Sequence, residues 1–143
     1  MNIVDYSTQF RLSTDDIKQT LLSSKSWEEK YRSLMLLGKK IAPYPVEWQL
    51  QEFQVQGCES NVWLQHEWKE NRLFLAIGSD AKIVKGLVAL ILAAFNQKTA
   101  DQIKDFDTQA YFAELNLEGQ LSPSRTNGLH AIVTQVMALV ANR

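Results

Sequence analysis

Gln54-Val55-Gln56-Gly57-Cys58-Glu59-Ser60-Asn61-Val62-Trp63-Leu64 carries the only cysteine of the chain. The segments that flank it, Glu52 to Val55 and Val62 to Trp68, are rich in Val, Phe and Trp. Their partial alternation reads as two strands. Between them Gly57 and Glu59-Ser60-Asn61 read as a turn, because Gly and Asn accept positive φ and Ser satisfies turn backbone locally. Cys58 then sits at a loop tip held by two strands, a rigid platform for a thiol that must meet a large partner. A free cysteine is also commonly a buried small hydrophobe. Spacing alone leaves both readings open.

Working outward, Lys69-Glu70-Asn71 reads as a hairpin turn and Arg72 to Ile77 as a third strand, with Leu73, Leu75 and Ile77 on one face. The three segments are expected to form one antiparallel sheet. Ser79-Asp80 supplies an N-cap, with Asp80 as the capping side chain, for a helix from Ala81 to Asn96. That helix is apolar in almost every direction, which predicts a buried central helix. Gly86 within it costs roughly 1 kcal/mol of propensity against Ala, so another backbone is expected to approach there, that of the Cys58 loop being one candidate. Upstream, Ser13 with Asp16 caps a short helix from Thr14 to Leu22. Ser26-Trp27-Glu28-Glu29 is a second capping box. Trp27, Tyr31, Leu34, Met35 and Gly38 follow at helical spacing, with Trp27 and Tyr31 read as core anchors. Pro43-Tyr44-Pro45 ends that helix, and Val46 to Leu50 allows a short helical turn. Downstream, Thr99 with Gln102 and Asp107 before Tyr111, Phe112 and Leu115 mark two short helices. Ser122-Pro123 opens a last one with the stripe Leu129, Ile132, Val133, Val136, Met137, Val140. The arm up to Leu12 shows no periodicity and is expected to pack loosely. Helices around a small three-stranded antiparallel sheet make the fold class α+β.

At 143 residues, with 45% hydrophobic and 22% charged residues, the chain is expected to form one globular domain over residues 1–143. A net charge of −1 without a Lys/Arg stripe argues against nucleic acid as a partner, which needs clustered positive charge. The longest apolar run, Gly86 to Phe95, falls far short of the ~20 residues of a membrane span. Met1 to Phe10 lacks the charged and apolar regions of a secretory signal. A cytoplasmic location is therefore expected. One cysteine excludes an internal disulfide framework and a multi-thiolate metal site, and His66 and His130 add no recognisable ligand spacing.

Val55-Gln56-Gly57-Cys58-Glu59-Ser60-Asn61-Val62-Trp63 resembles the active-site segment of the SufE/CsdE family of sulfur acceptor proteins. Three further stretches match in the family's order. They are Trp27-Glu28-Glu29-Lys30-Tyr31 with Leu36 to Gly38, Gly78-Ser79-Asp80-Ala81-Lys82-Ile83-Val84-Lys85-Gly86-Leu87, and Leu121-Ser122-Pro123-Ser124-Arg125-Thr126-Asn127-Gly128-Leu129. Together they span about Ser26 to Val140. The resemblance implies the fold shared with iron–sulfur scaffold proteins. It also implies a protein that takes persulfide sulfur from a cysteine desulfurase onto Cys58, stimulates that enzyme, and passes the sulfur to a cluster scaffold or other acceptor. Such a protein is an accessory to sulfur transfer rather than an enzyme in its own right. No pyridoxal phosphate lysine motif is present, so the chain is expected to hold no cofactor and the pyridoxal phosphate to belong to the desulfurase.

A lone cysteine suits this chemistry. The thiolate is the nucleophile, and a second cysteine would attack the persulfide, close a disulfide and release sulfide. A dithiol oxidoreductase lacks its resolving thiol here, and a cluster scaffold its several thiolates. Gly57, Ser60 and Asp80 are candidate supporting residues around Cys58, with a plain helix N-cap as the competing role for Asp80. Arg125 lies at the start of the last helix, where the dipole disfavours a cation. It reads as pairing with an acid, facing Cys58 or the desulfurase, or simply solvated. Lys82 and Lys85 read as solvated. His130 is a minor candidate for proton transfer and His66 reads as a strand histidine. Two other classes compete. A cysteine hydrolase or transferase would use Cys58 with His66 or His130, and a pure binding module would use Cys58 only for packing.

Overall fold

Twelve of the fourteen residues of helix α4 (Lys82–Phe95) are buried, and the two lysines, Lys82 and Lys85, are its only exposed positions. This is the central helix that its all-round apolar sequence predicts. In the computed structural model, which describes residues 1–117 and 119–143, the other elements wrap around it. Helices α1 (Ile3–Ser7), α2 (Thr14–Leu22) and α3 (Trp27–Gly38) precede strands β1 (Val62–Lys69) and β2 (Arg72–Ser79). After α4 come β3 (Lys98–Thr99), α5 (Ala100–Asp105), α6 (Thr108–Glu114) and α7 (Pro123–Ala141). The architecture is α+β, a three-stranded antiparallel sheet in the order β1-β2-β3 flanked by helices.

Strands β1 and β2 pair from Val62↔Ser79 to Lys69↔Arg72 around a tight turn in which Glu70 and Asn71 take φ of 50° and 68°. Two left-handed residues match the twist of the strands they join. The third strand is not Glu52 to Val55. Gln51–Phe53 is a 3-10 turn, and only Gln54 makes a bridge, to Trp63. Gln51, Glu52 and Gln54 give that stretch too little apolar surface to hold a ladder, so it peels away after one contact. The position on the far edge of β2 is filled by Lys98–Thr99, paired to Leu73 and Arg72. A left-handed Gln97, φ 66°, turns the chain sharply out of α4 to reach it.

The N-terminal arm is packed, not loose. Asn2 caps α1 by accepting from the Asp5 amide, and Tyr6, Ser7 and Phe10 are buried. Ser7 joins a buried polar node. Its hydroxyl donates to Asn96 Oδ1, which also accepts from the Leu75 amide, while Asn96 Nδ2 donates to the Ser7 carbonyl. These hydrogen bonds offset the cost of burying the polar groups, so the node can fasten α1 to β2 and α4.

Most caps fall where the side chains predict. Ser13 with Asp16 and Thr99 with Gln102 form full capping boxes, and Asp107 and Ser122 accept from the third amide of their helices. Ser26 accepts from the Glu29 amide, but the Glu29 carboxylate takes its proton donor from Lys25, one residue early. At α4 the expected cap does not form. Ala81 holds the N-cap position with no side-chain bond, and Asp80 turns elsewhere.

Gly86 meets α3, not the Cys58 loop. A Cβ built on Gly86 would lie 2.2 Å from the Leu34 carbonyl oxygen, and one on Gly38 would lie 2.8 Å from the Gly86 nitrogen. The two glycines let α3 and α4 cross backbone to backbone. Within α3, Leu34 and Leu37 are the fully buried anchors, and Trp27 and Tyr31 are only half-buried. Lys30 is buried instead, its ammonium donating to the Leu115 carbonyl at 2.8 Å and so closing the C-terminal end of α6. Burial pushes that ammonium below its usual range.

Candidate functional site

The loop that carries Cys58 is pinned at both ends. On one side Val55 donates from its amide to the Val62 carbonyl at 2.8 Å, which closes the chain from Gln56 to Asn61 into a compact projection. On the other side Asn61 is stitched three times. Its carbonyl accepts from Ser79 Oγ at 2.7 Å, its Nδ2 donates to Asp80 Oδ2 at 2.9 Å, and its Oδ1 accepts from Gln54 Nε2 at 3.2 Å. Ser79 also accepts from the Ala81 amide, so the start of α4 and the end of the loop share one hydroxyl. Of the two roles open to Asp80, helix cap or support for the site, the side chain takes the second and serves the loop. Gly57 alone in the loop is left-handed, φ 88°, and a Cβ there would already meet the Ala131 methyl at 3.4 Å. The loop therefore lies against α7 with its tip between that helix and α4.

At the tip the Cys58 thiol is half-buried and faces the Gly128 carbonyl, with Sγ 3.6 Å from the oxygen it donates to. An S–H donated to a carbonyl favours the protonated thiol, since a thiolate would face the same oxygen without a proton between them. Burial pushes the thiol in the same direction, above its ordinary range. The resting thiol is thus held as a poor nucleophile.

Beside it opens a cavity of about 250 Å³, lined by Cys58, Glu59 and Ser60 from the loop, Val84 and Leu87 from α4, and Arg125 from α7. Ser60 and Arg125, singled out from the sequence, are therefore brought together with Cys58. Gly128 has no site role in the sequence reading. A glycine inside a helical stripe is its one sequence signal, because it costs about 1 kcal/mol against Ala without a local reason. A Cβ there would stand 3.6 Å from Cys58 Sγ, in ordinary contact with the thiol. Asn61 reads only as a turn residue, and its cross-links have no sequence signature. The Arg125 guanidinium lies 5.6 Å from the centroid of the Tyr31 ring.

Neither histidine lines this cavity. His66 is exposed on β1 opposite Leu75, beyond the part of the strand that the core covers. His130 lines a separate space of about 330 Å³ with Phe112 and Val133, on the α6 side of α7. Among the described residues, no three His, Cys, Asp or Glu side chains gather as metal ligands. No described helix is long and apolar enough to cross a membrane.

Three comparisons bear on this geometry. The family model for SufE, the Fe-S metabolism associated domain, matches residues 15–140, somewhat more than the stretch from Ser26 that the motifs mark. The sulfur acceptor protein CsdE of Escherichia coli (strain K12) is 37% identical over 128 residues, covering 89% of this chain and 87% of CsdE. A solution structure of a hypothetical protein from Thermus thermophilus superposes with a TM-score of 0.71 at 18% identity. It covers 90% of this chain and 93% of its own, and at that identity it speaks for the fold alone.

Proposed function

The chain belongs to the SufE family of Fe-S metabolism associated domains, and on that premise we propose that residues 1–143 form one sulfur-acceptor domain that loads persulfide sulfur on Cys58. The donor is a cysteine desulfurase carrying a cysteine persulfide, and its pyridoxal phosphate stays with it. The Cys58 thiolate attacks the outer sulfur of the donor persulfide. A new S–S bond forms to Cys58, the donor S–S bond breaks, and the donor leaves as a thiolate. The transferred sulfur keeps its proton or negative charge, and no external oxidant or reductant is consumed. A downstream thiol or cluster scaffold then takes the sulfur by the same exchange, and the chain acts as an accessory that speeds the desulfurase by clearing its product.

The observation that carries this reading is the single cysteine of the chain at the tip of a doubly pinned loop, with about 250 Å³ of open space beside its sulfur. One added sulfur, comparable in bulk to a water molecule at about 30 Å³, fits there without moving the walls. Apolar Val84 and Leu87 on one side keep reductants from a loaded persulfide.

Incubation with a cysteine desulfurase and cysteine, followed by mass spectrometry under non-reducing conditions, is the direct test. A gain of one sulfur confined to the peptide bearing Cys58 is expected. A protein that stays at its starting mass while the desulfurase turns over would end the proposal.

A sheltered, protonated thiol also predicts a pH profile. Iodoacetamide should alkylate the free protein more slowly than a small cysteine peptide at neutral pH. Because the Cys58 pKa is raised, the rate should rise to its plateau at higher pH than the peptide's. A catalytically dead desulfurase that draws the loop out should increase the neutral-pH rate. A free-protein profile that overlays the peptide's would show that the cavity shelters nothing.

A further inference from the structure

Arg125 stands in the first turn of a nineteen-residue helix, its amide donating to the Ser122 hydroxyl. The positive end of the helix dipole disfavours a cation there. Nor does a carboxylate compensate: the one ion pair among the described residues joins Lys18 to Glu114. What meets the guanidinium is the face of Tyr31, 5.6 Å from the ring centroid, within the range of a cation–π contact. Tyr31 comes from α3, and its ring is set by Trp27 one turn earlier, edge-on at 6.1 Å and 72°. Cys58, Glu59 and Arg125 are the titratable groups that line the thiol cavity, and α4 faces them only with Val84 and Leu87. Arg125 is therefore the one cation at the wall where sulfur exchange puts negative charge on sulfur.

We propose that Tyr31 is a positioning residue that holds the Arg125 guanidinium at the wall of the Cys58 cavity. The ring does not touch the reacting sulfur. It fixes a flexible cation that would otherwise lose itself in solvent, and so spares the ordering cost during exchange. The inference rests on the sulfur-acceptor reading for its purpose, but not for its test.

Iodoacetate and iodoacetamide attack the same thiolate and differ in charge. The ratio of their rates at Cys58 therefore reads the local positive potential and cancels thiol pKa and exposure to first order. In Tyr31→Leu, which keeps bulk and loses the π face, the ratio should fall roughly threefold to tenfold, the range of a partly exposed cation–π contact. Tyr31→Phe should keep the wild-type ratio. Arg125→Gln should lower it by a similar factor, and adding Tyr31→Leu to Arg125→Gln should change nothing more. Sulfur uptake from a desulfurase should follow the same order. Where Tyr31→Leu fails to fold, Tyr31→Met, flexible and of similar bulk, replaces it. The proposal is overturned by an unchanged ratio in the folded variant, by Tyr31→Phe behaving like Tyr31→Leu, or by a further drop in the Arg125→Gln background. If the ratios behave as expected but wild-type protein takes no sulfur, the positioning role stands and the acceptor reading falls.

Discussion

Cys58→Ser is expected to melt within a few degrees of the wild type and to take up no sulfur at all. The fold side follows from the site. Cys58 is half-buried, its polar contact is the 3.6 Å bond to the Gly128 carbonyl, and a serine hydroxyl can donate to the same oxygen. The loop is held by Val55, Asn61, Ser79 and Asp80, none of which needs the thiol. A change of this kind costs within about 1 kcal/mol. The functional side is all or none. A hydroxyl at neutral pH cannot displace a thiolate from a donor persulfide, and no second cysteine exists to take over. Thermal unfolding by circular dichroism reads the first half, and incubation with a desulfurase and sulfur-labelled cysteine reads the second. Label retained on folded Cys58→Ser after denaturing gel filtration would show that sulfur is carried elsewhere.

How much of this is legible from residues depends on length and on whether the relevant partner is local. Helices of nine residues or more announce themselves, because about two and a half turns suffice to show a period and their caps act within four positions. Ser13, Ser122 and the stripe ending at Val140 are of that kind. Helix α1, of five residues, and strand β3, of two, are too short to carry a period at all. They form because of contacts made from far away in the sequence, Asn96 holding Ser7 and β2 pairing Leu73 and Arg72 with Lys98 and Thr99. Glu52 to Val55 shows the opposite failure, a strand-like alternation too polar at Glu52 and Gln54 to hold more than one bridge to β1. At the site, Cys58 stands out as a lone thiol in a motif, and Arg125 as a cation at the wrong end of a helix. The answer to the second anomaly, Tyr31, lies far back in the chain on another helix. Asn61 and Gly128 contribute through backbone and amide geometry, which composition does not record.

Gly86→Ala is expected to destabilise the protein by about 2–3 kcal/mol, although the substitution improves helix propensity by roughly 1 kcal/mol. The added methyl would stand 2.2 Å from the Leu34 carbonyl oxygen and 2.6 Å from its carbon. Those atoms are backbone of a well-packed helix, so no rotamer change relieves the contact and α3 must move away from α4. Gly38→Ala should act through the same crossing, since its methyl would meet Gly86 N and Lys85 Cβ at 2.8 Å. Once either methyl has parted the helices, the second enters a gap already opened. The double variant should therefore lose less than the sum of the singles, a coupling of about 1 kcal/mol or more. The separation also reaches the site: α3 carries Tyr31 away from Arg125, and α4 carries the Val84 and Leu87 wall of the thiol cavity. Folded Gly86→Ala should then alkylate faster at Cys58 at neutral pH than the wild type. Urea unfolding of the two singles and the double, with the alkylation rate of each, decides the matter. A Gly86→Ala cost below about 0.5 kcal/mol, ordinary for a surface change, would mean that the helices do not cross backbone to backbone at these glycines.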